Sequence, residues 1–516
     1  MRDMCVKEDG IVLPPGTVRL FSQADEEGGG KRSLILTPTP SGHPDDALSW
    51  SMVRKCWHYG LLMAMTVVIF AALTIQPIFW TQMQAEMDVS LQDLNNAQAF
   101  QLVGLAIGCI FMVPFAKKYG RRPVYIVSTA LVVASTWWSA SMTSAAEVIL
   151  TNFVMGLAGA VNETAVQMTI RDMFFVHQRG TANGAYLIAF SAGSFLVAIA
   201  VGAQAENSGW RAPYLTLAGF MTALCLLFIV GLEETKPVVT TTTTTTTAKD
   251  HEKAIVELDS PLATKTKFHR FRPRLQLWTP SDGSLWKMAY QPIYTAWYPH
   301  VIFTSLEYAS GVCWLVVLCS VVSVVFSSAP YDFNAAQVGF VMCGGPLVGS
   351  LLGSIYGGYF SDWAVVRFAR RNGGLLEPEM RLWLLPLPAL LMSGGLALFG
   401  VTADRGMHWI FPSIGTAIFV TGFGAVSDIT FTLVIDAFPD IVPLTFVAVA
   451  FFRNAISIAG PFSITPWREV MSIRGIFISA MVISFLVHLV AVPVVMWGKT
   501  VRTRLAPRYY RLSNVG

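Results

Sequence analysis

Long apolar stretches alternate with short polar connections along most of this chain. Six of them cover residues 58–80, 95–116, 124–144, 147–169, 181–203 and 212–232, and six more cover residues 299–326, 337–360, 381–401, 408–431, 444–465 and 475–497. A helix needs about 20 mostly apolar residues to cross the hydrocarbon core of a bilayer. The pattern therefore predicts an all-α membrane protein with twelve transmembrane helices in two six-helix halves.

The polar segments define the remaining divisions of the chain. Residues 233–298 include an unbroken threonine run from Thr240 to Thr247, a composition that buries too little surface to fold. The boundaries predict an N-terminal tail (1–55, largely disordered), a first half (56–232), a linker (233–298), a second half (299–498) and a C-terminal tail (499–516). The cations at 265–274 could bind anionic lipid head groups. The alternative, which the composition favours, is a solvated charge run that only helps orientation.

Lysine and arginine are concentrated in alternate connections. They are Lys117, Lys118, Arg121, Arg122, Arg171, Arg179, Arg367, Arg370 and Arg371, followed by Lys499, Arg502, Arg504, Arg508 and Arg511. Short cationic connections stay on the cytoplasmic side, so we expect both termini and the linker to be cytoplasmic. The connection near Asp436 and Asp440 lacks a cation and runs against this trend. The start of the chain lacks the pattern of a signal peptide.

Composition excludes several functional classes. Hydrophobic residues make up 53% of the chain and charged residues only 13%, against about 25% charged in soluble domains. The seven cysteines lie mostly in apolar stretches without a CxxC pair, which is typical of packing residues. Nucleotide-binding glycine motifs and HExxH are absent. We therefore expect no enzyme activity, no cofactor, no metal and no nucleic-acid partner.

Two connections, one in each half, share a design. Residues 114–123 and 357–374 each contain the end of an apolar stretch, glycines for a tight turn and a cluster of cations. They follow the second apolar stretch of their respective halves. Matching loops in two six-helix halves indicate a transporter built from a structural repeat.

The motifs in these loops resemble those of the major facilitator superfamily, through Tyr119-Gly-Arg-Arg-Pro123 and the Asp362 loop. Other stretches resemble the fungal twelve-span drug:proton antiporters: 170–180, Leu232-Glu-Glu-Thr235, Asn372-Gly-Gly374, Pro461-Phe462 and Pro466-Trp467. The resemblance runs from about residue 38 to the end, apart from the linker. It implies a monomeric plasma-membrane transporter that exports drugs, toxins or metabolites in exchange for protons.

The sequence departs from that family pattern at three positions. Lys117 replaces the aspartate of the loop motif, Asn152 replaces an arginine of the fourth helix, and Ala198 replaces a proline of the fifth. These departures bear on proton coupling and leave the fold unaffected.

Charges at the ends of the helices are the candidates for a gate. By resemblance, Arg121 and Arg122 could pair with Asp172 at the cytoplasmic end of the fourth helix, and Asp362 could serve the second half. The hypothesis is that these contacts stabilise the outward-facing state. The alternative is that they support only folding and topology.

Polar side chains inside the helices are the candidates for the substrate and proton pathway, since they are costly in a membrane. They are Glu163, Glu307, Asn162, Gln76 and Asp428. Apolar surroundings favour the protonated form of a carboxylate, which suits a proton carrier. By resemblance, Glu163 and Glu307 border the central cavity, whereas Asp428 could be a structural ion partner of Arg453. Each residue could instead form a packing hydrogen bond, and we expect aromatics such as Tyr308 to be packing residues.

The prediction for function is a secondary active transporter of small organic solutes, using a gradient because there is no motif for ATP. Two alternatives stay open: a proton-coupled importer of an organic cation or nutrient, and a transporter-like nutrient receptor. Solute flux through the purified protein distinguishes the receptor from either transporter.

Overall fold

The computed structural model describes residues 7–8, 11–12, 14–19, 47–236, 278–279 and 284–513. In these ranges 12 helices are long and apolar enough to cross a membrane. In chain order, these spans are Met52–Thr74, Leu91–Tyr119, Arg121–Ser141, Ala145–Met173, Ala182–Ser208, Arg211–Gly231, Pro299–Phe326, Ala335–Arg371, Pro386–Asp404, Ile410–Ala437, Pro439–Val470 and Ile473–Ser513. The predicted twelve-span, all-α fold is confirmed.

Several predicted loops are helical. Only Gly120, whose φ is +113°, separates the second and third spans, so Arg121 and Arg122 form the first turn of a helix. The eighth span continues through Asp362 to Arg371. Hydropathy reports where apolar surface ends, whereas backbone hydrogen bonding lets a helix continue into the polar zone. Cations in a last helical turn also interact favourably with the helix dipole.

The second and eighth spans begin in the same way. Ser90 accepts a hydrogen bond from the amide of Asp93, whose carboxylate accepts one from the amide of Ser90. Asn334 and Gln337 form the same reciprocal pair at the eighth span. Such capping boxes satisfy amides that a helix start leaves without acceptors. Their equivalent positions in the two halves agree with the predicted repeat.

The two halves meet along two seams. The second span packs on the eleventh, and the fifth packs on the eighth. At the second of these seams, a Cβ on Gly202 would lie 2.5 Å from the carbonyl oxygen of Ala335, and one on Gly339 would lie 2.4 Å from that of Ala198. Glycine is therefore required for the close approach of these backbones. We call the end of the bundle that holds Met52 and Ser513 the terminus side, and the opposite end the far side.

An additional helix, Leu285–Ala296, falls inside the predicted linker and contacts the terminus-side ends of the second and eleventh spans. Its opposite face is apolar and exposed: Trp286 is 82% exposed and Ile293 is 61% exposed, and the flanking Trp297 is 77% exposed. The rest of the described linker is 233–236, 278–279, 284 and 297–298. The predicted threonine run and the cations at 265–274 lie outside the described residues.

Part of the predicted N-terminal tail contacts the second half. The strands Lys7–Glu8 and Ile11–Val12 pair with each other, and Val18–Arg19 pairs antiparallel with Leu375–Leu376. Arg502 donates hydrogen bonds to the carbonyl of Pro15 and, at 3.2 Å, to the hydroxyl of Thr17. Residues 14–19, within a tail expected to be largely disordered, are therefore held against the second half. A disorder prediction rests on local composition, and these contacts come from residues far along the chain.

Candidate functional site

An ion pair joins the two halves near the middle of the bundle. Arg453 of the eleventh span donates a hydrogen bond to Oε2 of Glu163 on the fourth span. The same guanidinium donates to Oδ1 of Asn454 at 2.7 and 3.0 Å, and Nδ2 of Asn454 lies 3.3 Å from Oε2 of Glu163. The ring of Tyr308 lies 4.8 Å from the guanidinium carbon, on the seventh span. Two helices of the second half, the seventh and the eleventh spans, therefore meet at this ion pair with the first half.

This pair is nearly withdrawn from solvent. The side chains of Arg453 and Glu163 are 8% and 11% exposed. Withdrawing two charges from water is costly, and their attraction compensates only when further hydrogen bonds satisfy them, as those of Asn454 do here. Neutralising either partner would leave the other charge buried and uncompensated. The arrangement can therefore respond to a proton or to a competing charged solute. The expected pairing of Arg453 with Asp428 is wrong.

Asn162 is adjacent to Glu163 and faces the first span. Its Oδ1 accepts a hydrogen bond of 3.0 Å from the hydroxyl of Thr66. Its Nδ2 is buried without a hydrogen-bond partner among the described residues. A buried amide donor of this kind is available to a water molecule or a polar solute.

Glu307 lies in a second polar cluster, inside the second half. Its Oε2 is 2.6 Å from Nδ1 of His488 on the twelfth span. Nε2 of His488 is 3.3 Å from the hydroxyl of Ser484, which is 3.4 Å from that of Ser393 on the ninth span. The side chain of Glu307 is 0% exposed. His488 was missed in the sequence, although an ionisable residue inside an apolar stretch is itself a signal of a functional site.

The other two predicted pathway residues lie elsewhere. Gln76 is in the turn Gln76–Phe79 beyond the first span, on the far side, and both of its amide atoms are buried without a partner among the described residues. Asp428 packs against Gly357 of the eighth span, where an added Cβ would lie 3.0 Å from Oδ2 of Asp428. Of the five predicted residues, the structure brings together only Glu163 and its neighbour Asn162.

The predicted gate residues of the first half form a cluster on the terminus side. Nε of Arg121 donates to Oδ2 of Asp172 at 3.1 Å. Glu234 accepts the backbone amides of Arg121 at 2.9 Å and Arg122 at 3.1 Å, which satisfies the start of the third span. The guanidinium of Arg122 donates to the carbonyl of Ile229 at 2.7 Å.

The second half contains a similar cluster. Arg381 donates to Asp362 and to Asp436, both at 2.8 Å. Asp436 is near the end of the tenth span, as Asp172 is near the end of the fourth. The sequence did not identify Arg381, because its partners lie 19 and 55 residues away along the chain. Each of these ion pairs lies within a single half, so neither by itself closes a passage between the halves.

Contacts between the halves also occur on the far side. The hydroxyl of Ser323 donates to the carbonyl of Pro77. Nδ2 of Asn95 donates to the hydroxyl of Thr465 at 3.0 Å. One turn deeper, the rings of Phe100 and Phe462 meet edge to face at 6.3 Å. The second and eleventh spans supply both side-chain contacts.

Within the described residues, no group of three or more His, Cys, Asp or Glu side chains could hold a metal ion. The polar groups that are present can exchange protons, form ion pairs and donate hydrogen bonds. These capacities suit the binding and release of a solute.

Comparison with known proteins agrees with this architecture. The chain is 26% identical to an uncharacterised MFS-type transporter of Schizosaccharomyces pombe, over 99% of this chain and 96% of the relative. It is 25% identical to Protein HOL1 of Saccharomyces cerevisiae, over 95% of each chain. It is 24% identical to the efflux pump FUBT of Fusarium oxysporum, over 84% of this chain and 72% of the relative. The family model of the Major Facilitator Superfamily matches residues 61–461. The chain therefore belongs to the major facilitator superfamily of membrane transporters for small solutes.

Proposed function

We propose that this protein exports small organic solutes across the plasma membrane in exchange for protons, with both termini in the cytoplasm. The observation that carries the proposal is the ion pair between Glu163 and Arg453, because it crosses between the halves and is nearly buried. An alternating-access transporter needs a contact of this kind, which holds the halves together and can be broken by its substrates.

The energetic cost of an unpaired buried charge explains how a solute or a proton could drive the change between states. Removing one partner of a buried ion pair costs roughly 3–5 kcal/mol, because the remaining charge is left uncompensated. A solute that competes for Glu163 or Arg453, or a proton that neutralises Glu163, would therefore favour a state in which the halves part and water reaches the remaining charge. Asn162 offers a further donor on the same side of the passage.

Export rather than import is supported by the similarity to FUBT of Fusarium oxysporum, which is an efflux pump. The clusters of Arg121 with Asp172 and of Arg381 with Asp362 are assigned to the gate: each would hold the terminus-side helix ends of its half in register while the halves move. Glu163 and Glu307 are the carboxylates assigned to coupling. The protein is proposed to act as a monomer.

The test is flux in proteoliposomes under an imposed pH gradient, with a panel of organic cations, drugs and fungal metabolites as probes. We expect the wild type to move at least one probe against its gradient, in the direction opposite to the proton. Glu163→Gln and Glu307→Gln should abolish this gradient-driven movement. Glu469→Gln, at an exposed position near the far-side end of the eleventh span, is the control and should leave it intact.

The direction and type of flux decide between the functions. Movement of a probe in the same direction as the proton would replace the exporter with an importer. Specific binding of a probe without any flux would favour a receptor. Unchanged pH-driven flux in Glu163→Gln would remove the central ion pair from the mechanism.

A further inference from the structure

The pair of Glu307 and His488 lies on a different face of the seventh span from the central ion pair. Consecutive residues of a helix point about 100° apart. Tyr308 covers the guanidinium of Arg453, whereas Glu307, one residue earlier, contacts His488 on the twelfth span. One turn of the seventh span thus presents one polar group to the centre and another to the periphery of the second half.

Unpartnered polar atoms continue from Glu307 along the same helix face. Oε1 of Glu307, the hydroxyl of Ser310 and Nε1 of Trp314 are all buried without a hydrogen-bond partner among the described residues. The spacing i, i+3, i+7 places these three side chains on one face of the seventh span. Leaving a buried polar group without a hydrogen-bond partner is costly, so three such groups in a column indicate a row of water sites.

The direction of this column is fixed by the fold. The seventh span runs from Pro299 on the terminus side to Phe326 on the far side, so Ser310 and Trp314 lead from Glu307 towards the far side. Towards the terminus side, the next ionisable residue on this face is His300, which is 3.2 Å from Oε1 of Glu379. Phe303, which is 1% exposed, lies between them on that face.

Three charged groups on the elements packed against the seventh span have described partners or neighbours elsewhere. Arg453 of the eleventh span is held by Glu163, and Arg502 of the twelfth is held by Glu379. Asp428 of the tenth span lies against the eighth. On the ninth span, Ser393 extends the cluster through Ser484 without adding a charge.

We propose that Glu307 and His488 form the proton-binding site of this transporter, separate from the solute passage and reached by water from the far side along Ser310 and Trp314. The inference rests on the proposed function and assigns its two substrates to separate sites. Glu163 and Arg453 respond to the solute, and Glu307 and His488 bind the proton. Binding adds one proton to the pair and release removes it, with no other bond made or broken. The seventh span couples the two sites through the neighbouring Tyr308.

The test measures the proton alone, so it needs no identified solute. Purified full-length protein is titrated with acid and base while infrared difference spectra follow the carbonyl band of protonated carboxyl groups. We expect a buried, pH-dependent band that Glu307→Gln abolishes and His488→Gln shifts to a different titration midpoint. His58→Gln is the matched control, because His58 also pairs with a glutamate, Glu233, at 3.3 Å but lies on the terminus side of the first half.

Kinetics test the route separately. Ser310→Ala and Trp314→Phe should leave the titration midpoint unchanged and slow the appearance of the band after a pH jump. Thermal unfolding establishes whether each variant is folded. Ser310→Ala and Trp314→Phe still test the route if His488→Gln does not fold. A band that survives Glu307→Gln, or access rates unchanged in both route variants, would overturn the proposal. A protein that binds the proton at Glu307 but moves no solute would refute the proposed function alone.

Discussion

Glu379 illustrates how one residue ties together distant parts of the chain on the terminus side. Its carboxylate accepts hydrogen bonds of 2.8 and 2.7 Å from Arg502, and lies 3.2 Å from Nε2 of His300. Burial alone would raise the pKa of Glu379, but the hydrogen bonds and charges of these partners lower it from 4.5 to about 2. The ionised form is therefore the one that the fold stabilises.

The lowered pKa of Glu379 determines how the stability of the protein changes with pH. The stabilisation from Glu379 is fully present above its unfolded pKa of about 4.5 and is lost as the pH falls towards its folded value of about 2. We expect Glu379→Gln to destabilise the protein by roughly 3–5 kcal/mol near pH 7, with the difference from wild type narrowing below about pH 4.5. Thermal unfolding in detergent, from pH 7 to below about pH 4.5, measures this stability difference between the variant and the wild type.

The neighbouring carboxylate provides the control. Glu377 pairs with Lys499, whose side chain is 58% exposed, so Glu377→Gln should cost less than about 1 kcal/mol. Equal losses in the two variants would contradict the structural role of Glu379. The sequence analysis did not identify this role of Glu379, because its partners lie 79 and 123 residues away along the chain.

At the scale of elements, the sequence predicted which segments cross the membrane much better than where they end. Helix 58–80 was predicted six residues late, so Gln76 was assigned to a span although it lies in the following turn. Hydropathy measures burial in lipid, whereas caps such as Ser51, which accepts the amide of Arg54 at 3.4 Å, determine where the helix starts. Long-range pairs such as Glu163 with Arg453 leave no local pattern at all.

The ion pair of Arg121 with Asp172 connects the start of the third span to the end of the fourth, and its strength can be measured by a double-mutant cycle. We expect Arg121→Gln and Asp172→Asn each to reduce stability and pH-driven flux, because each leaves a buried charge without its partner. The double variant should lose less stability than the sum of the two, since the remaining charges are removed together.

The comparison variant is Arg211→Gln, which breaks the more exposed pair with Glu86 on the far side, where the side chains are 34% and 51% exposed. Its effect on stability should be small. Strictly additive losses for Arg121 and Asp172 would show that the pair is not coupled. Normal flux in both single variants at normal surface levels would remove the pair from the gate.

For the whole molecule, the far-side contacts between the halves must open if the transporter alternates its access. Asn95 and Thr465 touch across the second and eleventh spans, with a side-chain separation of 3.0 Å. We expect Asn95→Cys combined with Thr465→Cys to lose flux when a short thiol cross-linker is added and to keep it before treatment. Flux is measured in the same proteoliposomes, and cross-linking is scored by mass spectrometry.

Single-cysteine variants control for the native cysteines, of which the sequence has seven. Full flux in a fully cross-linked double variant would show that these far-side contacts stay closed during transport. The sequence did predict a passage between the halves, because its repeat indicates a transporter built from two similar halves. The side chains that close it were not predicted, since Asn95 and Thr465 are 370 residues apart.

Gly16 lies in a crevice of the second half. Its φ is +79°, and an added Cβ would lie 2.3 Å from the carbonyl oxygen of Asp436. The segment around it precedes the first span, so it acts as an intramolecular ligand whose effective concentration does not change with dilution. A free peptide competing for the crevice would have to match that concentration. Asp436 and Arg502 line the crevice, and they also form ion pairs with Arg381 and Glu379. Binding or release of the Gly16 segment would therefore depend on how the helix ends of the second half are arranged on the terminus side.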